Sequence, residues 1–479
     1  MSARVEKLFA TTLAALALVG SALPASAFDL AAPFQDPLQI LPSIIESGVT
    51  LPGDIMPMPC PANKDFATPL ALNEAVDLAL CNNPQIRAAW AGIKVQAGAL
   101  GEARAAYLPT LTGTVNHLQT HTSYPGSIVG ATNTEGKTIY ATLAWRLFDF
   151  GGREANRESA NDLLVAAIAS HDATLQKNLS EVVQAYFDAQ TAKASWQAKE
   201  KTEEIDQSTL DTAQRRETHG AASHSDVLQA KTALAKATLD KNRAAGSYQK
   251  ALSVLVYTLG VPPQTRILLA DDLKDSTQLD AKDLEAWLAI AEKSHPAILA
   301  ARAQWESAKH KITSVRSDGL PTVDFSSNFY QNGYPGQGLA PTQSRQTTAG
   351  ISLSIPFFDG FSRTYKIRGA EAQAEQKEAE LQDTEHNTLM EVVKTYADAV
   401  SFLQNLQASE TLLNAAQESL AASKRKYEKG AADILEILNT QAALADAMQE
   451  RIHCLSDWRS ARLRLLASAG VMGRAALNP

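Results

Sequence analysis

One unit occurs twice in this chain at an offset of 210 residues, so any fold must house two copies of it. Glu181-Val-Val-Gln-Ala-Tyr-Phe-Asp-Ala-Gln190 aligns with Glu391-Val-Val-Lys-Thr-Tyr-Ala-Asp-Ala-Val400, identical at six of ten positions. The same offset sets Gly220-Ala221-Ala222 on Gly430-Ala431-Ala432, Leu228 on Leu438, Leu234 on Leu444 and Gly260-Val261 on Gly470-Val471. Phe148-Asp149 falls on Phe358-Asp359, and Arg153 on Arg363. Upstream the offset becomes 212, pairing Pro84 with Pro296 and Leu108-Pro109 with Leu320-Pro321. Chance likeness between alanine-rich helices does not produce matched Gly, Pro and Phe-Asp marks. The repeats span 69–262 and 283–471, with a linker at 263–282, a Pro-rich extension at 28–68 and a tail at 472–479.

Each unit reads helix, strand, strand, very long helix, helix. The first helix is expected over Leu72–Tyr107, ending before Pro109, and its counterpart over Leu284–Asp318. Ile139, Ala141, Leu143, Trp145 and Leu147 alternate with polar residues, as do Val323, Phe325 and Phe329, and Ala349, Ile351, Leu353, Ile355 and Phe357. That period of two predicts strands at about 109–120, 138–148, 321–331 and 347–357. They are long enough to cross a bilayer when tilted. Segments 121–136 and 331–346 are rich in Gly, Pro, Ser, Thr and Asn and read as the loops between strands. From Arg153 to Thr218 no proline intervenes, which predicts about 100 Å of helix. Leu389, Val392, Tyr396, Ala399, Leu403 and Leu406 form a heptad seam. Gly220 and Gly430 then stand where glycine ends a helix.

The first residues predict export. Arg4 and Lys7 precede an apolar run from Leu8 to Gly20, and Ala25-Ser26-Ala27 reads as a cleavage site, giving a signal peptide at 1–27. No later run of eighteen apolar residues predicts a membrane helix. No cysteine stands at the cleavage site to carry a lipid, the first being Cys60. In an oxidising compartment Cys60 and Cys81 are the candidate disulfide, closing a loop of about twenty residues worth roughly 3 kcal/mol. Cys454 lies in a helical pattern and is expected to be a buried thiol. A net charge of −8 argues against nucleic-acid partners and against a basic membrane-surface patch. Neither a nucleophile elbow, nor HExxH, nor a phosphate loop is present, and no cofactor is expected, so the chain does not read as an enzyme. His219 and His224 flank the turn at Gly220 and read as exposed turn residues rather than a zinc pair.

Four amphipathic strands cannot close a membrane barrel, which takes about eight, and open sheet edges cannot sit in lipid. Copies in a membrane must therefore pool strands. Two copies give eight strands and an interior filled by side chains; three give twelve and a lumen. With the tandem repeat, the Asn83-Pro84 and His295-Pro296 helix starts, the Leu-Pro and Phe-Asp marks and Gly-x-x-x-x-x-[Asp/Glu]-x-Leu at both turns, the chain resembles the TolC family of outer-membrane efflux channels. The resemblance covers nearly all of the mature chain. It implies a mainly α fold with a small membrane β-barrel: a homotrimer combining a twelve-stranded barrel with a long periplasmic α-helical barrel. It further implies outer-membrane lipid around the barrel, a periplasmic adaptor (membrane fusion protein) and an inner-membrane ABC or RND transporter as partners, and a role in type I secretion or tripartite efflux. The Cys60/Cys81 pair and the missing lipid site resemble the CyaE-type secretion branch. A soluble periplasmic coiled-coil adaptor or structural protein is the rival reading.

The resemblance also places a periplasmic aperture at the two glycine turns. Its positions fall on Ser225, Asp226, Tyr427, Glu436 and Asn439, and adaptor docking falls on Gly220, Ala221, Gly430 and Ala431. Many relatives carry an arginine where this chain has Ala432, and a second aspartate where it has Asn439. Threefold symmetry would make Glu436 a ring of three carboxylates that favours cations. Ser223-x-x-Asp226 and Asp433-x-x-Glu436 equally read as helix caps.

Overall fold

The computed structural model describes Leu38, Phe66 and residues 68–123, 125, 126, 128, 131–270, 283–332 and 344–473. All but Leu38 belong to one compact unit, residues 43–479. The expected signal peptide at 1–27, nearly all of the Pro-rich extension, Cys60 and the linker from 271 lie outside the described residues.

The first repeat is α1 (Leu72–Asn82), α2 (Pro84–Ala105), β1 (Thr110–Thr122), β2 (Thr132–Phe148), α3 (Gly152–Thr218) and α4 (His224–Thr258). The second is α5 (Leu284–Ser294), α6 (Pro296–Ser317), β3 (Thr322–Gln331), β4 (Arg345–Ser354), α7 (Ser362–Glu428) and α8 (Ile434–Ser468). Helix lengths repeat without change: 11, 22, 67 and 35 residues in each copy. At 1.5 Å per residue, α3 and α7 are each about 100 Å long.

The leading helix of each repeat, expected as one piece, is two. Proline crowds the residue before it out of the helical region. Asn83 and His295 are accordingly extended, at ψ 122° and 123°. Both then cap the next helix: Asn83 Oδ1 accepts from the Gln85 N–H at 2.8 Å, and His295 Nδ1 from the Ala297 N–H at 3.2 Å. Burial lowers the His295 pKa, favouring the neutral ring that this acceptor role requires.

These breaks explain why glycine and proline match between repeats. A Cβ on Gly260 would lie 3.0 Å from the Asn82 carbonyl, and one on Gly470 would lie 2.9 Å from Pro296 Cδ. The returning helix of each copy thus ends against the broken joint of its own leading helix. Around the first joint, Leu72, Val76, Leu80, Leu175, Leu179, Val182, Tyr186, Leu255 and Leu259 form the main core. Leu70 bridges to Leu269 in parallel, so the expected linker begins as part of this core. The second core centres on Trp287, Trp458 and the expected seam, where Val392, Ala399 and Leu406 are buried and Leu389, Tyr396 and Leu403 pack beside them. Cys454 is a free, buried thiol, and Cys81 is disulfide-bonded.

The four strands form one antiparallel sheet in the order β1-β2-β3-β4. β2 starts at Thr132, earlier than the alternation suggested, because it continues to pair with β1 beyond the apolar stretch. β4 stops at Ser354, short of the expected 357. Pro356 has no N–H to give a ladder there.

Candidate functional site

Register gives the sheet two unlike faces, since directly paired residues share a face. On one face Leu111 meets Leu143, Val115 meets Ile139, Ala141 meets Phe329, Trp145 meets Phe325, Phe325 in turn meets Ile351, and Val323 meets Leu353. Leu111, Val115, Ile351 and Leu353 are 62–74% exposed, so nothing among the described residues covers that face. The other face reads Thr112, Thr142, Asn328, Thr348 along one row and Thr114, Tyr140, Tyr330, Gln346 along another. It also holds an ion pair between the repeats, Arg146 Nε to Asp324 Oδ1 at 3.0 Å. An exposed apolar face backed by a polar one suits a wall with lipid outside and water within. The paired stretch of β2, Ile139–Phe148, covers about 24 Å when tilted by about 45°, the height of an outer-membrane apolar band.

The Phe-Asp-x-x-x-Arg mark builds the corner from strand to long helix. Asp149 Oδ2 accepts from the Arg153 N–H at 2.9 Å and from Arg153 Nε at 3.0 Å. The guanidinium also donates to the carbonyls of Arg146 at 2.8 Å, Leu147 at 3.3 Å and Ala106 at 3.3 Å. One side chain therefore ties the ends of α2 and β2 to the start of α3. Its Cζ lies 4.8 Å from the Tyr107 ring centroid. In the second copy Asp359 accepts from the Arg363 N–H at 2.9 Å. Gly319 there replaces Tyr107, and a Cβ on it would stand 1.9 Å from Arg363 Nε. Phe148, Phe150, Phe357, Phe358 and Phe361 are exposed at these corners, an aromatic collar where a barrel meets the headgroups.

The turns at Gly220 and Gly430 are twin Schellman caps. Ala221 N–H donates to Arg216 O at 2.7 Å and Gly220 N–H to Glu217 O at 2.9 Å; Ala431 and Gly430 repeat the pattern on Lys426 and Tyr427, both at 2.9 Å. Both glycines take positive φ, 71° and 75°. Gly220, Ala221, Gly430 and Ala431 are exposed, as are Ser225 and Asn439. Asp226 closes a capping box: its carboxylate accepts from the Ser223 N–H at 3.2 Å, and Ser223 Oγ accepts from the Asp226 N–H at 3.2 Å. Its counterpart Glu436 does otherwise. Asp433 caps α8, accepting from the Glu436 N–H at 2.8 Å. Glu436 Oε1 instead accepts from Ser423 Oγ at 3.0 Å and Lys426 Nζ at 3.3 Å. His224 Nδ1 lies 2.8 Å from Glu217 Oε1.

Tyr427 alone among the expected aperture residues is buried, at 3% exposure. The residue that reaches it was not singled out from the sequence. Arg216, in the last turn of α3, donates to Tyr427 O and, at 3.3 Å, to Ala221 O. Its Cζ sits 4.4 Å from the Tyr427 ring centroid. Arg216 thus joins the turn of one repeat to the turn of the other. Burial pushes the Tyr427 hydroxyl pKa up, with Arg216 opposing and Asp226 reinforcing the rise. Arg216 aligns with Lys426 at the 210-residue offset, the one sequence signal that could have marked it.

A family model described as "Outer membrane efflux protein" matches residues 75–261 and 287–471, the two repeats. Protein CyaE of Bordetella pertussis is 36% identical over 420 residues, 88% of each chain. Alkaline protease secretion protein AprF of Pseudomonas aeruginosa is 24% identical over 423 residues, 87% of each chain. The fold matches the crystal structure of the outer membrane protein VceC of Vibrio cholerae with a TM-score of 0.72 at 19% identity, covering 83% of this chain and 96% of that one. With both repeats matched over nearly all their length and the two-faced sheet in place, this chain belongs to the outer membrane efflux protein family.

Proposed function

We propose that three copies of this chain form an outer-membrane duct that exports protein cargo, fed by a periplasmic adaptor and an inner-membrane transporter. The observation that carries the proposal is the sheet: one exposed apolar face, one polar face, and edge strands β1 and β4 unpaired among the described residues. Lipid tolerates no open edge, so copies must close it between them. Kinship with CyaE at 36% identity and with a protein named for protease secretion favours protein cargo. In this reading the glycine turns form the periplasmic mouth where an adaptor docks. Arg216 holds that mouth together from within each copy, joining the turn of one repeat to the turn of the other.

The test is mass and conductance on protein purified from outer membranes in detergent. A trimer with small currents in a planar bilayer is expected. Arg216→Ala should raise those currents severalfold, because it frees one turn from the other. Asp226→Ala should change them little, since its bonds stay within its own cap. A water-soluble monomer without conductance would replace this reading with a periplasmic coiled-coil protein.

A further inference from the structure

The apolar band of the sheet ends differently at its two rims. At the helix side stand exposed phenylalanines, and the arginines there are engaged: Arg153 with Asp149 and Arg363 with Asp359. At the far side, the last row of the band is Val115, Ile139, Gln331 and Arg345. One step beyond, His117 pairs with Lys137. Register places Arg345 and Lys137 on the same outward face as the apolar residues. Both are exposed, and neither is in an ion pair among the described residues. The single carboxylate in 116–138 and 331–346 is Glu135, and it lies 3.1 Å from His117. In a chain with net charge −8, two cations just above the outward apolar face are thus outside any ion pair among the described residues.

Strand spacing of about 4.8 Å and a two-residue step of about 6.8 Å put the Lys137 and Arg345 Cα atoms about 12 Å apart. Their side chains are long enough to converge on one head group from that distance. We propose that this rim binds the phosphorylated head group of an outer-leaflet lipid, with Lys137 and Arg345 on its phosphate and its acyl chains along Val115, Ile139 and Phe329. The apolar rows directly below the cations select a lipid over a free phosphate ion. The proposal rests on the sheet standing in the outer membrane as read above.

The test uses the full-length protein in phosphatidylcholine vesicles containing a minor fraction of phosphatidic acid. Phosphatidic acid retained per protein is measured after detergent extraction and washing, and conductance is recorded from the same vesicles. Lys137→Gln with Arg345→Gln should lower retention roughly tenfold, given the attraction of each basic residue to an anionic surface. Lys250→Gln on α4 should leave it unchanged. Unchanged retention in the double variant with normal conductance would overturn the lipid site and leave the duct standing. Release of the lipid by inorganic phosphate at millimolar concentration would also overturn it, in favour of an ion site. Failure of the unaltered chain to insert and conduct would sink the duct and the rim together.

Discussion

At the scale of single residues, Asp206 shows what the repeat conceals. It is 7% exposed in α3, where the second repeat has Ala416 packed against Leu444 and Ala447. Burial lifts its pKa to about 6. A raised carboxyl opposes folding once it ionises. Its penalty is absent below about pH 4, grows as pH rises through about 6, and reaches at most about 3 kcal/mol above that. Asp206→Ala should therefore stabilise the protein at pH 7.5 by about 1–3 kcal/mol and flatten its stability between pH 4 and 6, read by denaturant melts across that range. Equal stabilisation at pH 4 and pH 7.5 would mean that packing, not charge, is the cause. At the turns, local bonds were legible: Asp226 is three residues from its partner Ser223, and the capping pattern names both. Arg216 was not, because its partner Tyr427 is 211 residues away and a basic residue in a last helical turn already has a local explanation.

At the scale of elements, the glycines separate turn geometry from packing. Gly430 and Gly470 have nearly the same φ, 75° and 73°. A Cβ on Gly430 meets only Arg216 Nη2 at 3.8 Å, whereas one on Gly470 meets Pro296 Cδ at 2.9 Å and His295 Cα at 3.0 Å. Gly430→Ala should cost about 1–2 kcal/mol for the left-handed backbone alone. Gly470→Ala should cost more, about 2–4 kcal/mol, because the α8 end must also back away from the α5–α6 joint. Thermal unfolding of the two variants checks the order; equal losses would show that the joint yields freely. The elements themselves were readable because each has one buried or lipid-facing side, which stamps period two on the strands and a heptad on α7. The break before each proline was missed, because helical composition on both sides of Asn83 and His295 masked it. What period could not supply is the pairing of β2 with β3, fixed by contacts such as Arg146 with Asp324 across 178 residues.

At the scale of the whole molecule, the question is how many copies close the sheet. Joining β4 of one copy to β1 of the next is a head-to-tail contact, which makes a ring only if the rotation closes. The polar face carries Tyr140, Tyr330 and the Arg146–Asp324 pair. Eight strands would press these together in a filled interior, while twelve leave them water. Thr112 and Thr348 lie in one row of that face at opposite edges of the sheet, three strands and about 14 Å apart within a chain. That is too far for a disulfide or a short bis-thiol reagent to bridge. Thr112→Cys combined with Thr348→Cys should therefore cross-link between copies only, giving covalent dimers and trimers and nothing larger on a denaturing gel. Each single variant should stay monomeric. A ladder ending at dimers would mean an eight-stranded barrel too full to conduct. One running past trimers would mean a filament, and no ladder at all would mean that these edges never meet. A ladder that stops at three fixes twelve strands, and makes the polar face the wall of an aqueous lumen.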